Sequence, residues 1–163
     1  MTLPQNPYNT AKSIDSLLHN INCPTPARKV IETALQEVKE RLNNKEYEPR
    51  HCGLIAEGIY TRAKVRQKQI YRDTNYQRKD CGTHHANPEM MKNIAPGDWI
   101  WYNNKNPGWK GLHSAIVLKY EFDTADALVA SGYVSQPIRI HPINLKECPV
   151  TRIVKPVYSA GHN

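Results

Sequence analysis

The second half of the chain is built from short segments rich in β-branched and aromatic residues, and this pattern limits the fold more than any other feature. Turn residues such as Asn103-Asn104, Asp123-Thr124 and Pro142 separate the segments, a spacing typical of an antiparallel sheet. The predicted strands are Asp98–Asn103, Ser114–Tyr120, Ala127–Tyr133, Ile138–His141 and Arg152–Val157.

The first half shows helical periodicity instead. Apolar residues recur at three- and four-residue spacing between Val30 and Leu42, which predicts a helix that begins at Thr25-Pro26 and ends near Asn43-Asn44. The Thr25 hydroxyl is expected at the N-cap and Pro26 at the first helical position. A shorter helix is predicted over residues 11–20.

A third predicted helix runs from Cys52 to about Gln67. Gly58 in its interior costs up to about 1 kcal/mol relative to alanine, which suggests close packing against another element. Residues 68–95 are polar and basic and show no clear period. Helices followed by strands predict a single α+β domain for the 163 residues.

Charge and composition limit the classes of partner that we expect this chain to bind. The net charge of +7 and the isoelectric point of about 9.3 favour anionic partners such as nucleic acid, anionic lipid or bacterial cell wall. No apolar run approaches the roughly 18–20 residues that span a bilayer, and the N-terminus resembles no secretory signal. We therefore expect a protein made in the cytoplasm without a signal peptide and without a membrane span. Four scattered cysteines predict no disulfide framework, although one bridge among Cys23, Cys81 and Cys148 stays open.

Cys52 and His113 are the main candidates for chemistry. Cys52 is placed at a helix start, where unpartnered backbone N–H groups and a nearby imidazolium both stabilise a thiolate. His113 stands at the beginning of a predicted strand and is the best candidate for that imidazole. Taken singly, a helical cysteine is more often a small buried apolar residue, and a lone histidine on a strand is unremarkable. The order, spacing and context of the pair favour a cysteine nucleophile and its base.

Three motifs carry a resemblance to a known family: a cysteine-led helix at Cys52, Pro96-Gly97-Asp98 before a strand, and the strand Leu112-His113-Ser114-Ala115-Ile116-Val117. Together they resemble the NlpC/P60 and CHAP families of papain-like peptidoglycan hydrolases. The resemblance implies a papain-like fold with N-terminal helices packed on a C-terminal antiparallel β-sheet. Residues 1–46 would be the helical part, 47–145 the core, and 146–163 a C-terminal strand and tail. His51 and Gly53 flank the cysteine where family members usually have a small or acidic residue before it and serine-glycine after it, which suggests a divergent branch.

The family activity implied is a cysteine amidase or endopeptidase that cleaves peptidoglycan through a thioester, with Cys52 as nucleophile and His113 as base. A third residue on the next strand would orient the imidazole. Ser131 is our choice for it, with Tyr133 and a backbone carbonyl as alternatives. No cofactor is required.

The resemblance also implies the substrate contacts and the partners. Tyr47 would supply an oxyanion hydroxyl, and Gly53 would leave room for a substrate carbonyl. Trp109, His84 and Tyr133 are further substrate-binding candidates near the cleft. The partner implied is a peptidoglycan peptide. Because no secretory signal is visible, and not because of any motif, we expect the protein to reach the periplasm or cell wall by a non-Sec route, with a delivery machine or an inhibitory immunity protein as further partners.

Several other motifs are interpreted structurally. Cys81-Gly82-Thr83-His84-His85 has residue types that zinc accepts, but His51 and His141 are the only additional ligands at hand, so no metal site is expected. Asp98 is expected to order the turn before its strand, and Trp99 and Trp101 to pack on one shared face.

A basic stretch from Arg62 to Lys79, interleaved with Tyr71 and Tyr76, is expected to be a solvated helix face followed by a loop. It also supports an alternative of a different class, a non-catalytic module that binds nucleic acid or another polyanion, although nucleic acid is not the favoured partner. A closer alternative is the same papain-like fold acting on another protein or a lipid amide.

Overall fold

The computed structural model describes residues 7–44, 48–73, 88–105 and 111–158. The helices are α1 (Ala11–His19), α2 (Thr25–Asn43), α3 (Cys52–Arg62) and α4 (Pro88–Met91). The strands are β1 (Val65–Arg72), β2 (Trp99–Asn104), β3 (Gly111–Glu121), β4 (Asp126–Tyr133), β5 (Gln136–Asn144) and β6 (Val150–Tyr158).

All six strands belong to one antiparallel sheet in the order β1-β6-β2-β3-β4-β5. The predicted α+β class is confirmed, and each of the five predicted strands is present with slightly different bounds. Strand β6 lies between β1 and β2, so the C-terminal strand joins the strand after α3 to the rest of the sheet. The segment assigned to a C-terminal strand and tail thus contributes an interior strand of the sheet.

The prediction that the third helix reaches Gln67 is wrong. The helix ends at Arg62, and Lys64 takes a left-handed conformation (φ 59°) that no helix continues through. Val65 is then buried and residues 66–69 are exposed along the edge strand β1. The charges of Arg66 and Lys68 therefore mark a sheet edge instead of a helix face, where they oppose edge-to-edge pairing with another chain.

Three details of the helices also differ from prediction. Helix α2 begins at Thr25 with Pro24 at the N-cap and no side-chain cap, so the Thr25 hydroxyl does not cap the helix. Gly58 is not a close-packing position, because an added Cβ would meet only the Arg50 guanidinium, at 3.7 Å. Leu42, placed in the apolar stripe by its spacing, is 41% exposed at the end of α2.

The sheet buries both of its faces. Helices α1, α2 and α3 cover one side, which we call the helix face; there Ile116 and Leu118 of β3 pack with the apolar residues of the helices. Ala115 and Val117 alternate with them and point to the opposite face, which is closed by α4 and the connecting loops. This alternation decides on which side of the sheet each candidate residue lies.

Two polar contacts fix the turn before β2. The Tyr60 hydroxyl of α3 donates to the Gly97 carbonyl at 2.8 Å, which ties the cysteine-led helix to the turn. The buried Asp98 carboxylate accepts from the Ala95 N–H at 2.9 Å and from Lys155 Nζ at 2.6 Å. Burial raises the pKa of Asp98 to about 6 against the opposing effect of Lys155. The predicted turn-ordering role of Asp98 is confirmed, as is the packing of Trp99 and Trp101 against the helix-face core.

Candidate active site

Cys52 is the first residue of α3. Its N-cap, His51, is extended and makes no side-chain cap, and the first intrahelical hydrogen bond runs from Ile55 N–H to the His51 carbonyl at 3.0 Å. The N–H groups of residues 52–54 thus have no acceptor within the helix. The Cys52 side chain lies at this end of the helix with 7% of its surface exposed.

A cavity of about 550 Å³, which we call the thiol groove, opens beside Cys52. Its walls are mostly apolar. The lining residues are His51, Cys52, Gly53, Leu54, Glu57, Trp99, Trp101, Leu112 and Tyr133. A Cβ on Gly53 would lie 2.8 Å from the Trp101 indole, so the space beside this glycine is taken by Trp101. The role that the structure assigns to Gly53 is therefore close packing of α3 on β2, while the expected room for a substrate carbonyl is not found on that side.

A second cavity of about 450 Å³, the histidine cavity, is lined mainly by polar side chains. Its lining residues are Tyr102, Asn104, His113, Ser131, Gly132, Tyr133, Ser135, Gln136, Arg139, His141 and Ile143. His113 is the register partner of Tyr102, and their rings meet edge to face with centroids 5.5 Å apart. Since Tyr102 packs in the core opposite the helices, the His113 side chain also lies on that face.

A short hydrogen bond crosses the floor of the histidine cavity. Ser131 Oγ lies 2.6 Å from His141 Nε2, and the Tyr102 hydroxyl is hydrogen-bonded to the same serine. Ser131 is buried, with 5% of its surface exposed. The arrangement links three strands, β2, β4 and β5, through one hydroxyl.

The two imidazoles of this cavity are half-buried and hard to protonate. Burial lowers the pKa of His113 to about 4, assisted by the neighbouring His141 and by the charge of Arg139. Burial and Arg139 likewise lower the pKa of His141 to about 4. Burial raises the pKa of the Tyr102 hydroxyl. At neutral pH both histidines are therefore uncharged, and each can accept a proton.

The structure brings some of the predicted site residues together and separates others. His113, Ser131 and Tyr133 share the histidine cavity, while Cys52 and Gly53 line the thiol groove. Tyr133 belongs to both cavities: its ring centroid lies 6.2 Å from that of His113 and 5.8 Å from that of His51. Cys52 and His113 thus line different cavities that share one tyrosine. Tyr47, His84 and Trp109 lie outside the described residues.

Sequence reasoning missed Tyr102 and Arg139 as members of this cavity and considered His141 only as a possible zinc ligand. Strand alternation could have found two of them. Ile138 and Ile140 face the helices, so Arg139 and His141 share the opposite face with Ser131, the register partner of Arg139. Tyr102 carried no such signal, because an apolar-aromatic strand position is usually core.

The structure describes some of the residues named in the metal and disulfide predictions. Within the described ranges, no group of three or more His, Cys, Asp or Glu side chains could hold a metal ion, and Cys81, His84 and His85 lie outside them. His51 and His141 line different cavities. Cys23, Cys52 and Cys148 are free thiols. No helix of the described part is long and apolar enough to cross a bilayer.

Comparison with known proteins adds no relative. No protein-family model, no curated protein and no solved structure matches the chain. The resemblance to NlpC/P60 and CHAP hydrolases rests on the quoted motifs alone. The function is therefore inferred from the geometry of the two cavities together with those motifs.

Proposed function

We propose that this protein is a cysteine hydrolase that cleaves peptide or amide bonds of bacterial peptidoglycan, with Cys52 as its nucleophile. One observation carries the proposal: Cys52 is the first residue of an uncapped helix and lines a groove. The N–H groups of residues 52–54 favour a thiolate and are suited to stabilise the oxyanion of a tetrahedral intermediate. A purely structural cysteine has no need of such an open helix start.

The reaction balances without a cofactor. Cys52 gives its thiol proton to a histidine, and the sulfur attacks the substrate carbonyl carbon. The carbon–nitrogen bond then breaks, and the protonated histidine returns the proton to the departing amine. Water hydrolyses the thioester, which releases a carboxylic acid and restores the thiol.

His113 is the histidine that we propose as the base. It is uncharged at neutral pH, as a proton acceptor must be, and it lies across Tyr133 from the thiol groove. We propose that Tyr133, which lines both cavities, controls proton transfer from Cys52 to His113. His51, which lines the thiol groove itself, is the competing base. Ser131 and His141 complete the polar surroundings of His113.

The choice of peptidoglycan comes from the family resemblance and is consistent with the net charge of +7, which attracts anionic wall polymers. Action on the wall implies that the protein reaches the periplasm or cell wall. A protein or lipid amide is the alternative substrate for the same chemistry. Identifying the products separates these substrates directly.

The test is digestion of purified peptidoglycan, with the released fragments identified by mass. Cys52→Ala should reduce release to the level of the uncatalysed reaction, while Cys23→Ala, which removes a half-buried thiol elsewhere, should retain activity. His113→Asn should then lose most of the activity and His51→Asn little. Full activity of Cys52→Ala would reject the nucleophile, and the reverse order of the two histidine variants would reassign the base.

A second candidate function, binding of a polyanion, is favoured by one observation. The edge strand β1 exposes Arg66 and Lys68 on one side of its backbone, next to solvent. The affinity for a polyanion bound through these charges would fall steeply as the salt concentration rises and in the double variant Arg66→Glu/Lys68→Glu. It would not change in Cys52→Ala. Filter binding of an oligonucleotide across salt concentrations checks this candidate independently of hydrolysis.

A further inference from the structure

The histidine cavity holds one full positive charge. Arg139 extends from the edge strand β5 as the register partner of Ser131 and lines the cavity. Its charge is felt inside, because it is among the causes that lower the pKa of both His113 and His141. None of the described lining residues carries a carboxylate.

Arg139 lacks the acidic partner that Arg28 and Arg62 have. In the part of the chain that the structure describes, Arg66, Arg72 and Arg152 lack one too, but Arg139 is the one of these four that lines the histidine cavity. Arg28 pairs with Glu32 at 3.1 Å, and Arg62 pairs with Glu40 at 2.8 Å. Over the described ranges, by contrast, no Asp or Glu lies within ion-pair distance of Arg139. A guanidinium at the mouth of a polar cavity without an internal anion is suited to an anion from outside.

We infer that the histidine cavity is a binding site for a carboxylate group of the substrate, held by Arg139. A carboxylate fits better than a phosphate dianion, because the described lining offers a single cation, which balances one negative charge. The Ser131–His141 hydrogen bond and the Tyr102 ring form a fixed floor beneath it. The neutral imidazoles of His113 and His141 add no further cation, so Arg139 is the charged group that this cavity offers to an anion.

This inference rests on the proposed function for the identity of the ligand as a substrate. Tyr133 lines both cavities, so a peptide in the thiol groove reaches the histidine cavity by passing one side chain. The substrate would then be an acidic peptide whose carboxylate lies close to the bond that is cut. Carboxylate binding itself, however, requires no turnover.

Binding is therefore measured on the Cys52→Ala protein, by following the histidine ring resonances during titration with N-acetylglycine and with its uncharged amide. We expect saturable shifts of His113 and His141 with the acid and none with the amide. Arg139→Gln should weaken the binding about tenfold or more, and Arg139→Lys by less, since it keeps the charge but loses the bidentate pair. Lys119→Gln, which removes an equal charge from an exposed position of β3, should bind like the parent.

Equal shifts with the acid and the amide, or equal affinities of Arg139→Gln and Lys119→Gln, would overturn the carboxylate site. Tighter binding of inorganic phosphate than of N-acetylglycine would overturn the choice of carboxylate. Carboxylate binding in a protein that shows no Cys52-dependent hydrolysis would retain the site and reject the proposed function. Hydrolysis of acidic and neutral peptides at equal rates would retain the hydrolase and reject the link between the two cavities.

Discussion

The thiol groove and the histidine cavity meet at Tyr133, yet they differ in chemistry and in origin. The groove is formed by a helix start over two tryptophans, and its reactive group is a thiol beside backbone N–H groups. The cavity is formed mainly by strand side chains, and its reactive groups are two neutral imidazoles, a hydroxyl and a guanidinium. The proposed nucleophile and base therefore line different cavities, and in our proposal Tyr133, which lines both, controls whether they act together.

The largest expected difference between the two regions is the effect of their ionisable groups on how the free energy of unfolding depends on pH. Folded His113 and His141 have a pKa of about 4, below the ordinary value of 6.5, so the unfolded chain binds more protons between these values. The contribution of these two histidines to the free energy of unfolding is therefore fully present above pH 6.5, and it is lost as the pH falls toward 4. Asp98 acts in the opposite direction, because its pKa of about 6 is raised above the ordinary value of 3.8. The net loss should be on the order of 3 kcal/mol.

Urea unfolding at pH 7 and pH 4.5 measures this loss. The double variant His113→Asn/His141→Asn should reverse the trend, since the remaining Asp98 gains stability on acidification. Asp98→Asn should steepen the loss instead. An unchanged pH slope in the double variant would show that the cavity histidines do not set it.

The next effect concerns the cavity floor. Ser131→Ala removes the partner of the half-buried His141 Nε2 at 2.6 Å and the partner of the buried Tyr102 hydroxyl. We expect a loss of about 2 kcal/mol in the free energy of unfolding. Thermal denaturation measures it, with Ser135→Ala at an exposed position of the same cavity as the matched control. A loss no larger than that of the control would mean that the short bond contributes nothing to stability.

The smallest effects contrast two glycines of α3. Gly53→Ala forces a methyl group against the Trp101 indole and should cost about 1 kcal/mol, while Gly58→Ala meets only an arginine tip and should gain up to about 1 kcal/mol from helix propensity. Both are measured by urea unfolding. If the two substitutions changed the free energy of unfolding in the same direction, α3 would not pack on β2 as closely as the groove wall requires.

The sequence predicted the fold class and the strands well because alternation and turn residues are local properties. Residues 65–67 were mistaken for the end of a helix because Lys64 reverses the chain with nothing but a lysine to mark it, and β1 is stabilised by pairing with β6 from the far end of the chain. The cysteine-led helix could be predicted from the stripe of apolar residues along one of its faces. The assignment of Cys52 and His113 to different cavities could not be predicted, since it depends on how α3 docks on the sheet and on which face of β3 His113 occupies.

The central claim, that Cys52 is an activated nucleophile, is tested most directly by comparing cysteines under limiting iodoacetamide at mildly acidic pH, with each site quantified by peptide mass. Exposure alone ranks the half-buried Cys23 ahead of Cys52, which is only 7% exposed. Burial moreover raises the pKa of the Cys23 thiol. We expect Cys52 to be alkylated first and Cys148, which is similarly buried, to be alkylated last. Labelling of Cys23 before Cys52 would contradict the claim.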